Sequence, residues 1–227
     1  MISFLLSLDH NLFCLINFHY SAFWDSFFTS LSWLGSGWVV TPILVAIALV
    51  KVPRKKYLAF FIFAAAGIIV SSTINTQIKN ATHRARPIGY FVTHRVKCPE
   101  ARKGIYTVHV VGEPLATRSF PSGHANTAFC AASVLAFFFG RWFWFAFLPA
   151  FLVAYGRVYM GVHFPLDVAV GGLLGVVMIA LAFVAYTKTG TSVQNKLAPL
   201  LTKLFFPNRT KRAVRPFISG RGNHDPQ

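Results

Sequence analysis

Three short runs of the chain hold residue types that suit phosphate chemistry. They are Lys79 with Arg86-Pro87, Pro121-Ser122-Gly123-His124, and Arg157 with His163 and Asp167. Together they supply two histidines, one carboxylate, three cations and a Ser-Gly turn. Such a set can cleave a phosphate ester without a metal ion, because an imidazole can attack phosphorus while cations neutralise the phosphoryl oxygens.

The third run offers a nucleophile with an orienting carboxylate. His163 precedes Pro165, a residue type favoured in the first turn of a helix, and Asp167 lies four positions after His163. A carboxylate beside an imidazole fixes its tautomer and stabilises the cation that forms during reaction. One ring nitrogen then stays free to attack phosphorus. A structural hydrogen bond that ties two helices together explains the same pair, so the pair alone leaves both interpretations open.

The second run is a turn at the start of an apolar segment. Ser122 can cap the helix that begins there, and the free N–H groups of a helix N-terminus bind anions. His124 is suited to protonating a departing oxygen near neutral pH. A capping turn with an incidental histidine is the alternative explanation of these residues.

Three cations lie at the edges of apolar segments, namely Lys79, Arg86 and Arg157. Arginine presents a rigid fork that matches phosphate oxygens, whereas lysine acts as a point charge. Phosphoryl transfer depends mostly on positioning and on neutralising charge on those oxygens. Taken singly, each cation is equally explained as a residue that reaches for the membrane surface. If the fold brings all three cations to one location, that arrangement would favour a phosphate site.

Composition determines what kind of fold must position these residues. Hydrophobic residues make up 55% of the 227, aromatic residues 16%, and the mean hydropathy is +0.54. Several apolar segments approach the roughly 20 residues that a helix needs to cross a bilayer. We therefore predict an all-α, polytopic membrane helical bundle with about five to six transmembrane helices, and not a water-soluble enzyme.

The apolar segments predict the order of elements. The expected spans are 27–50, 57–78, 122–139, 142–159 and 168–186. Residues 1–25 alternate apolar and polar groups, which favours an N-terminal helix lying in the membrane interface. The polar loop 79–121 is too long for a tight turn, a length typical of functional loops. The chain then divides into a membrane-embedded domain, 1–186, and a basic cytoplasmic tail, 187–227.

The charge balance points to lipid and not to nucleic acid. The chain has 22 Lys and Arg against six Asp and Glu, a formal charge of +16. Zinc-finger and helix-turn-helix patterns are missing, so we expect no nucleic-acid partner. Bases beside spans meet anionic lipid and are enriched on the cytoplasmic side. Placing the turn 51–56, Arg141 and the tail in the cytoplasm brings all three runs to the opposite, non-cytoplasmic face. The oligomeric state is left open.

The cysteines do not indicate a metal site. Cys14, Cys98 and Cys130 are odd in number and lack the spacing of metal ligands, so no metal is expected. Cys130 lies in an apolar segment and is predicted as a small core residue. Pairing of Cys14 with Cys98 is left open.

The spacing of the three runs resembles a known family. Lysine with Arg-Pro after six residues, Pro-Ser-Gly-His, and arginine, five residues, histidine, three residues and aspartate look like the signature motifs of the type 2 phosphatidic acid phosphatase family. The motifs extend from 79 to 167, and the predicted spans carry the resemblance over most of the chain. One departure is visible: the family's third motif usually opens with Ser-Arg, and this chain has Gly156-Arg157.

The resemblance implies a metal-independent phosphatase, without a cofactor, that works through a phosphohistidine intermediate. On the matching positions, His163 is expected to be the nucleophile, Asp167 its orienting partner and His124 the general acid. The remaining matched residues are expected to hold the phosphoryl oxygens: Lys79, Arg86, Ser122, Gly123 and Arg157.

The expected partner is an anionic lipid phosphate at the outer face of a bacterial inner membrane. The small size, the interfacial helix and the number of spans look like the bacterial branch that recycles undecaprenyl diphosphate. Lipid A, phosphatidylglycerol phosphate and phosphatidate are the alternative substrates. Bases of the loop 79–121, among them Arg84, are predicted to choose between these head groups.

Two further function classes stay under consideration. Vanadate-dependent haloperoxidases share the anion site of the wider family, but they are soluble, and the composition of this chain argues against that class. A lipid-binding or transport protein would use the basic pocket without turnover. Such a protein would not need the pair His163 and Asp167.

Overall fold

The computed structural model describes residues 2–94 and 108–205, and all regular structure in these ranges is helical. The α-helices in chain order are α1 Ile2–Asn17, α2 Ala22–Ser32, α3 Gly37–Lys51, α4 Tyr57–Thr82, α5 Pro87–His94, α6 Gly123–Phe139, α7 Phe147–Tyr159 and α8 Pro165–Phe205. Short 3-10 turns precede three of them, at Trp33–Gly35, Arg54–Lys56 and Arg141–Ala146.

Three helical segments of the described chain are long and apolar enough to cross a membrane: Arg54–Thr93, Arg141–Tyr159 and Pro165–Leu197. The bent pair Ala22–Gly35 and Gly37–Lys51 makes a fourth if it counts as one crossing. These findings confirm the predicted all-α membrane bundle. The predicted span 122–139 corresponds to α6, which is apolar but has 17 residues and so falls short of the roughly 20 that a full crossing needs.

The predicted span 27–50 is broken in the structure. α2 and α3 meet at a bend of 61°, and Ser36, between two glycines, has an extended backbone with a ψ of 129°. Glycine loses much conformational freedom in a helix, and serine offers the backbone competing hydrogen bonds, so this triplet interrupts the helix. The bend buries Gly35 inside the molecule.

α1 presents two different faces. Asp9, Phe13 and Asn17, spaced four residues apart, are buried. Another face exposes large apolar side chains, at Phe4, Leu5, Leu8, Leu12 and Leu15. The Asn17 amide anchors the end of α1 by donating to the carbonyls of His109 (2.8 Å) and Tyr159 (2.7 Å). A helix packed on one side and apolar on another suits the interfacial position that the sequence predicts.

The predicted loop 79–121 is partly helical. Lys79 lies in the last turns of α4, and His83 follows that helix with a left-handed φ of 47°. Pro87 begins α5, because proline fits the first helical turn, where its missing N–H would have no partner. Residues 95–107 lie outside the described residues. They hold four further loop bases that the sequence suggests for the choice of head group, namely Arg95, Lys97, Arg102 and Lys103.

α8 continues past the predicted domain boundary at residue 186. The hydroxyls of Thr187 and Thr189 donate to the carbonyls of Val184 and Ala185, which lets the helix carry polar side chains there. The division into domain 1–186 and tail 187–227 stays a prediction, and residues 206–227 lie outside the described residues.

α6 packs against α8, α4 and α7 in the centre of the bundle. Cys130 is a buried free thiol on α6, whereas Cys98, and with it the question of the Cys14–Cys98 pair, lies outside the described residues. Gly171 of α8 leaves no room for a side chain, because a Cβ there would lie 2.4 Å from the carbonyl oxygen of Ser122. This close approach sets the beginning of α8 against the beginning of α6.

Candidate active site

His163 and Asp167 lie where α7 passes into α8. His163 belongs to the turn between the two helices, and its backbone N–H donates to the carbonyl of Arg157 (3.2 Å). The relative exposure is 2% for His163 and 0% for Asp167. Nδ1 of His163 is 3.6 Å from Oδ2 of Asp167, so the predicted pair is adjacent but slightly beyond hydrogen-bond distance.

Three other groups hold the carboxylate of Asp167. Oδ2 accepts hydrogen bonds from the Ser119 hydroxyl and from the backbone N–H of Phe164 (2.8 Å). Oδ1 accepts one from Nη1 of Arg84 (2.5 Å). The backbone carbonyl of Asp167 also accepts the N–H of Ser122 (2.9 Å), which links the third motif to the second. The carboxylate therefore keeps its orientation without help from the imidazole.

Arg84 joins two buried carboxylates. Its Nη2 lies 2.5 Å from Oδ2 of Asp9, while Nη1 binds Asp167. The guanidinium carbon is 4.5 Å from the centre of the Phe164 ring. Sequence reasoning placed Arg84 among the loop bases and did not single out Asp9. The signal that could have found Asp9 is the scarcity of acids, since it is one of only six in the chain.

The three motif cations have no carboxylate partner among the described residues. Arg86 donates from Nε to the carbonyl of Thr117 (3.0 Å) and from Nη1 to that of Val162 (3.2 Å). Nε of Arg157 is buried without a hydrogen-bond partner in the described chain. Lys79 is half-buried near the end of α4. Unpaired charges in such surroundings are unfavourable unless a ligand of opposite charge compensates them.

The Pro-Ser-Gly-His turn forms the start of α6. The Ser122 side chain accepts a hydrogen bond from the N–H of Ala125 (3.4 Å), the predicted cap. Gly123 and His124 follow in the first helical turn, whose N–H groups have no acceptor within the helix. The three motif cations and His163 all lie close enough to His124 to act on its imidazole, so the predicted site residues lie together.

Two glycines shape the site through close contacts. A Cβ on Gly35 would lie 2.9 Å from Cβ of His124, so the bend between α2 and α3 packs directly on that histidine. A Cβ on Gly156 would lie 2.8 Å from Cδ1 of Phe28. The Phe28 ring thus occupies the space that the family's usual serine would need, which gives a steric reason for the departure from the motif.

Burial determines the charge state of His163. Desolvation lowers the pKa of His163 to about 4, the charges of Arg86 and Arg157 act in the same direction, and Asp167 opposes them. The imidazole is therefore neutral at neutral pH. In that form one ring nitrogen carries a free lone pair and can act as a nucleophile.

Comparison with known proteins identifies the family. The sequence model of the PAP2 superfamily matches residues 56–190, more than half of the chain. The chain belongs to the PAP2 superfamily. The matched range contains all three PAP2 motifs.

Relatives and solved structures agree with the PAP2 assignment. An undecaprenyl-diphosphatase of Sulfolobus acidocaldarius is 28% identical over 72% of this chain and 71% of its own length. A decaprenylphosphoryl-5-phosphoribose phosphatase of Mycobacterium tuberculosis is 33% identical over 61% of this chain and 66% of its own. The crystal structure of Aquifex aeolicus LpxE has a TM-score of 0.60 and 32% identity, covering 77% of this chain and 94% of that one. These matches confirm the predicted family and enzyme class, a membrane lipid phosphatase.

Proposed function

We propose that this PAP2 protein hydrolyses a lipid phosphate or diphosphate without a metal ion, through a phosphohistidine intermediate. The observation that carries the proposal is a buried His163 that lies with His124 among three cations, which the described chain leaves without a carboxylate. A phosphoryl group is the ligand that such cations favour, and a neutral imidazole is a competent nucleophile toward it.

In the first step, Nε2 of His163 attacks phosphorus. The P–N bond forms while the P–O bond to the lipid breaks, and His124 donates a proton to the departing oxygen. Burial and the neighbouring cations disfavour a protonated His124, and the negative charge of the bound phosphoryl group offsets those cations and favours it. Asp167 stabilises the positive charge that develops on the attacking ring. Lys79, Arg86 and Arg157, with Ser122 and Gly123 of the turn, hold the remaining phosphoryl oxygens.

In the second step, water attacks the phosphorus of the phosphohistidine. His124, now neutral, accepts a proton from that water, the P–N bond breaks, and inorganic phosphate leaves. His163 returns to its neutral form, and His124 is protonated for the next cycle. One histidine thus serves as acid and then as base, which explains why the site needs two histidines with different surroundings.

Undecaprenyl diphosphate is the substrate we propose, at the outer face of a bacterial inner membrane. The undecaprenyl-diphosphatase relative supports this choice. The basic 3-10 turn Arg54–Lys56 lies at the opposite end of α4 from Lys79, so cytoplasmic placement of that turn puts the site outside. The apolar face of α1, whose Asp9 contacts the site through Arg84, would lie at the lipid surface from which the head group enters.

The test is phosphate release by the purified full-length protein with a chelator present. The panel contains undecaprenyl diphosphate, phosphatidylglycerol phosphate, phosphatidate and lipid A. We expect the fastest release from undecaprenyl diphosphate and no effect of the chelator. Release abolished by the chelator would contradict the metal-free mechanism, and a different preferred lipid would overturn only the choice of substrate. Binding of these lipids without any turnover would support the lipid-binding alternative.

A further inference from the structure

We propose that Asp9 and Arg84 form a positioning pair, which fixes the carboxylate of Asp167 for its work on His163 and attaches α1 to the active site. The proposal rests on the function proposed above. Neither Asp9 nor Arg84 belongs to the residues that would touch the phosphoryl group. Both act through Asp167.

The contacts lead from α1 through Arg84 and Asp167 to the proposed nucleophile. Asp9 accepts hydrogen bonds at both oxygens, from Arg84 Nη2 (2.5 Å) at Oδ2 and from the backbone N–H of Leu166 (2.7 Å) at Oδ1. Arg84 donates its other terminal nitrogen to Asp167 Oδ1 (2.5 Å). Asp167 Oδ2 then lies 3.6 Å from Nδ1 of His163. The side chains of Asp9, Arg84 and Asp167 are all largely buried.

Arg84 determines which way the Asp167 carboxylate faces. A carboxylate on one rotatable bond can turn unless both oxygens are held, and here Arg84 holds Oδ1 while Ser119 and the Phe164 N–H hold Oδ2. The guanidinium is itself fixed by Asp9 and by the ring of Phe164. Without Arg84, Asp167 would lose the contact that turns Oδ2 toward the imidazole.

Asp9 brings α1 into this arrangement. Its bond to the N–H of Leu166 satisfies a group in the first turn of α8, between Pro165 and Asp167 in sequence. The same helix exposes Leu5, Leu8 and Leu12. A helix with an exposed apolar face is thus bonded to the first turn of α8, close to the proposed nucleophile.

The test compares Arg84→Gln and Asp9→Asn with the wild-type protein in the phosphate-release assay. We expect kcat to fall by roughly 30-fold for Arg84→Gln and roughly 10-fold for Asp9→Asn, with KM changed by no more than about twofold, because neither side chain contacts substrate. Arg84→Lys should keep part of the activity, since an ammonium can pair with one carboxylate but lacks the fork that holds both. Arg54→Gln, an exposed base at the other end of α4, is the matched control and should behave as wild type.

A double-mutant cycle separates this role from a general loss of folding. If Arg84 acts only through Asp167, Arg84→Gln should have almost no further effect on kcat in protein that already carries Asp167→Asn. Circular dichroism and size-exclusion chromatography in detergent establish that each variant is folded, and Asp9→Asn, which keeps the side-chain size, serves if Arg84→Gln is not. Effects that add independently, or a rise in KM at constant kcat, would overturn the proposal. Wild-type protein without phosphatase activity would instead overturn the proposed function.

Discussion

The arginines around His163 differ in what they are paired with. Arg84 contacts two buried carboxylates, whereas Arg86 and Arg157 contact none in the described part of the chain. The fold itself satisfies the charge of Arg84, which suits a positional role. The charges of Arg86 and Arg157 lack such a partner in the described chain, which is unfavourable for stability and suits the binding of an anionic ligand that we propose. The chain has only six acidic residues, so few cations can be paired with a carboxylate. The position of the carboxylates therefore distinguishes the arginine with a structural partner, Arg84, from the arginines proposed to bind substrate, Arg86 and Arg157.

The largest effect that we predict comes from removing the imidazole of His163, which lies among the paired and the unpaired arginines. His163→Ala should lower turnover by roughly 1,000-fold or more, because the nucleophile is lost while the unpaired cations remain. Phosphate release measures the first part, and stabilisation of the variant against heat by vanadate or inorganic phosphate measures the second. His19→Ala, a change at an exposed histidine, is the control and should keep wild-type turnover. Turnover that persists in His163→Ala would contradict the phosphohistidine mechanism.

The second prediction tests whether an unpaired arginine, Arg157, and a paired one, Arg84, differ in their effects on activity and on stability. Arg157→Gln should lower kcat/KM by roughly 100-fold, because a charge on the phosphoryl oxygens is no longer neutralised, without lowering the melting temperature. Arg84→Gln should instead destabilise the fold by about 3–5 kcal/mol, because it leaves two buried carboxylates without their shared cation. Thermal unfolding in detergent compares the two variants. Equal destabilisation by Arg157→Gln and Arg84→Gln would contradict the proposed difference between the unpaired and the paired arginine.

The third prediction concerns the packing of Gly35 against His124, and the substitution that tests it changes no charge. Gly35→Ala places a methyl group 2.9 Å from Cβ of His124 and should displace that imidazole. We expect kcat to fall roughly 10-fold, since small misplacements of a reacting group slow catalysis strongly. Gly37→Ala is the matched control, because a Cβ there meets nothing within 4 Å. Equal activity of the two variants would show that His124 tolerates the shift or does not act in the reaction.

The smallest effect that we predict concerns the pKa of His163, which Arg86 and Arg157 lower and Asp167 raises. The pKa of His163 is lowered to about 4 from an ordinary value of 6.5, so the ring should stay neutral at pH 5 and become charged only near pH 4. Arg157→Gln removes a charge that lowers this pKa and should raise it, and Asp167→Asn should lower it further. NMR of histidine-labelled protein in micelles measures the titration, with the resonance assigned by its loss in His163→Asn. A wild-type titration near 6.5 would be the contrary result.

Local pattern was sufficient for the membrane class and for naming the candidate site residues. The length of apolar segments depends on sequence alone, which is why the helices near Tyr57, Gly123 and Pro165 begin within a few residues of their predicted positions. The motifs were recognisable because the residue types needed for phosphate chemistry lie at short spacings along the chain. Pattern was insufficient at the bend around Ser36, where an apolar run concealed a break at two glycines.

The sequence by itself determined an all-α membrane bundle, the three motifs and the residues expected to handle a phosphoryl group. Only the tertiary structure decided what each charge is paired with. Asp9 and Asp167 are 158 positions apart, and Phe28 and Gly156 are 128 apart, so no spacing along the chain relates them. Their positions arise from how α1, α2, α7 and α8 pack, and that packing pairs Arg84 with two carboxylates and leaves Arg157 with none in the described chain.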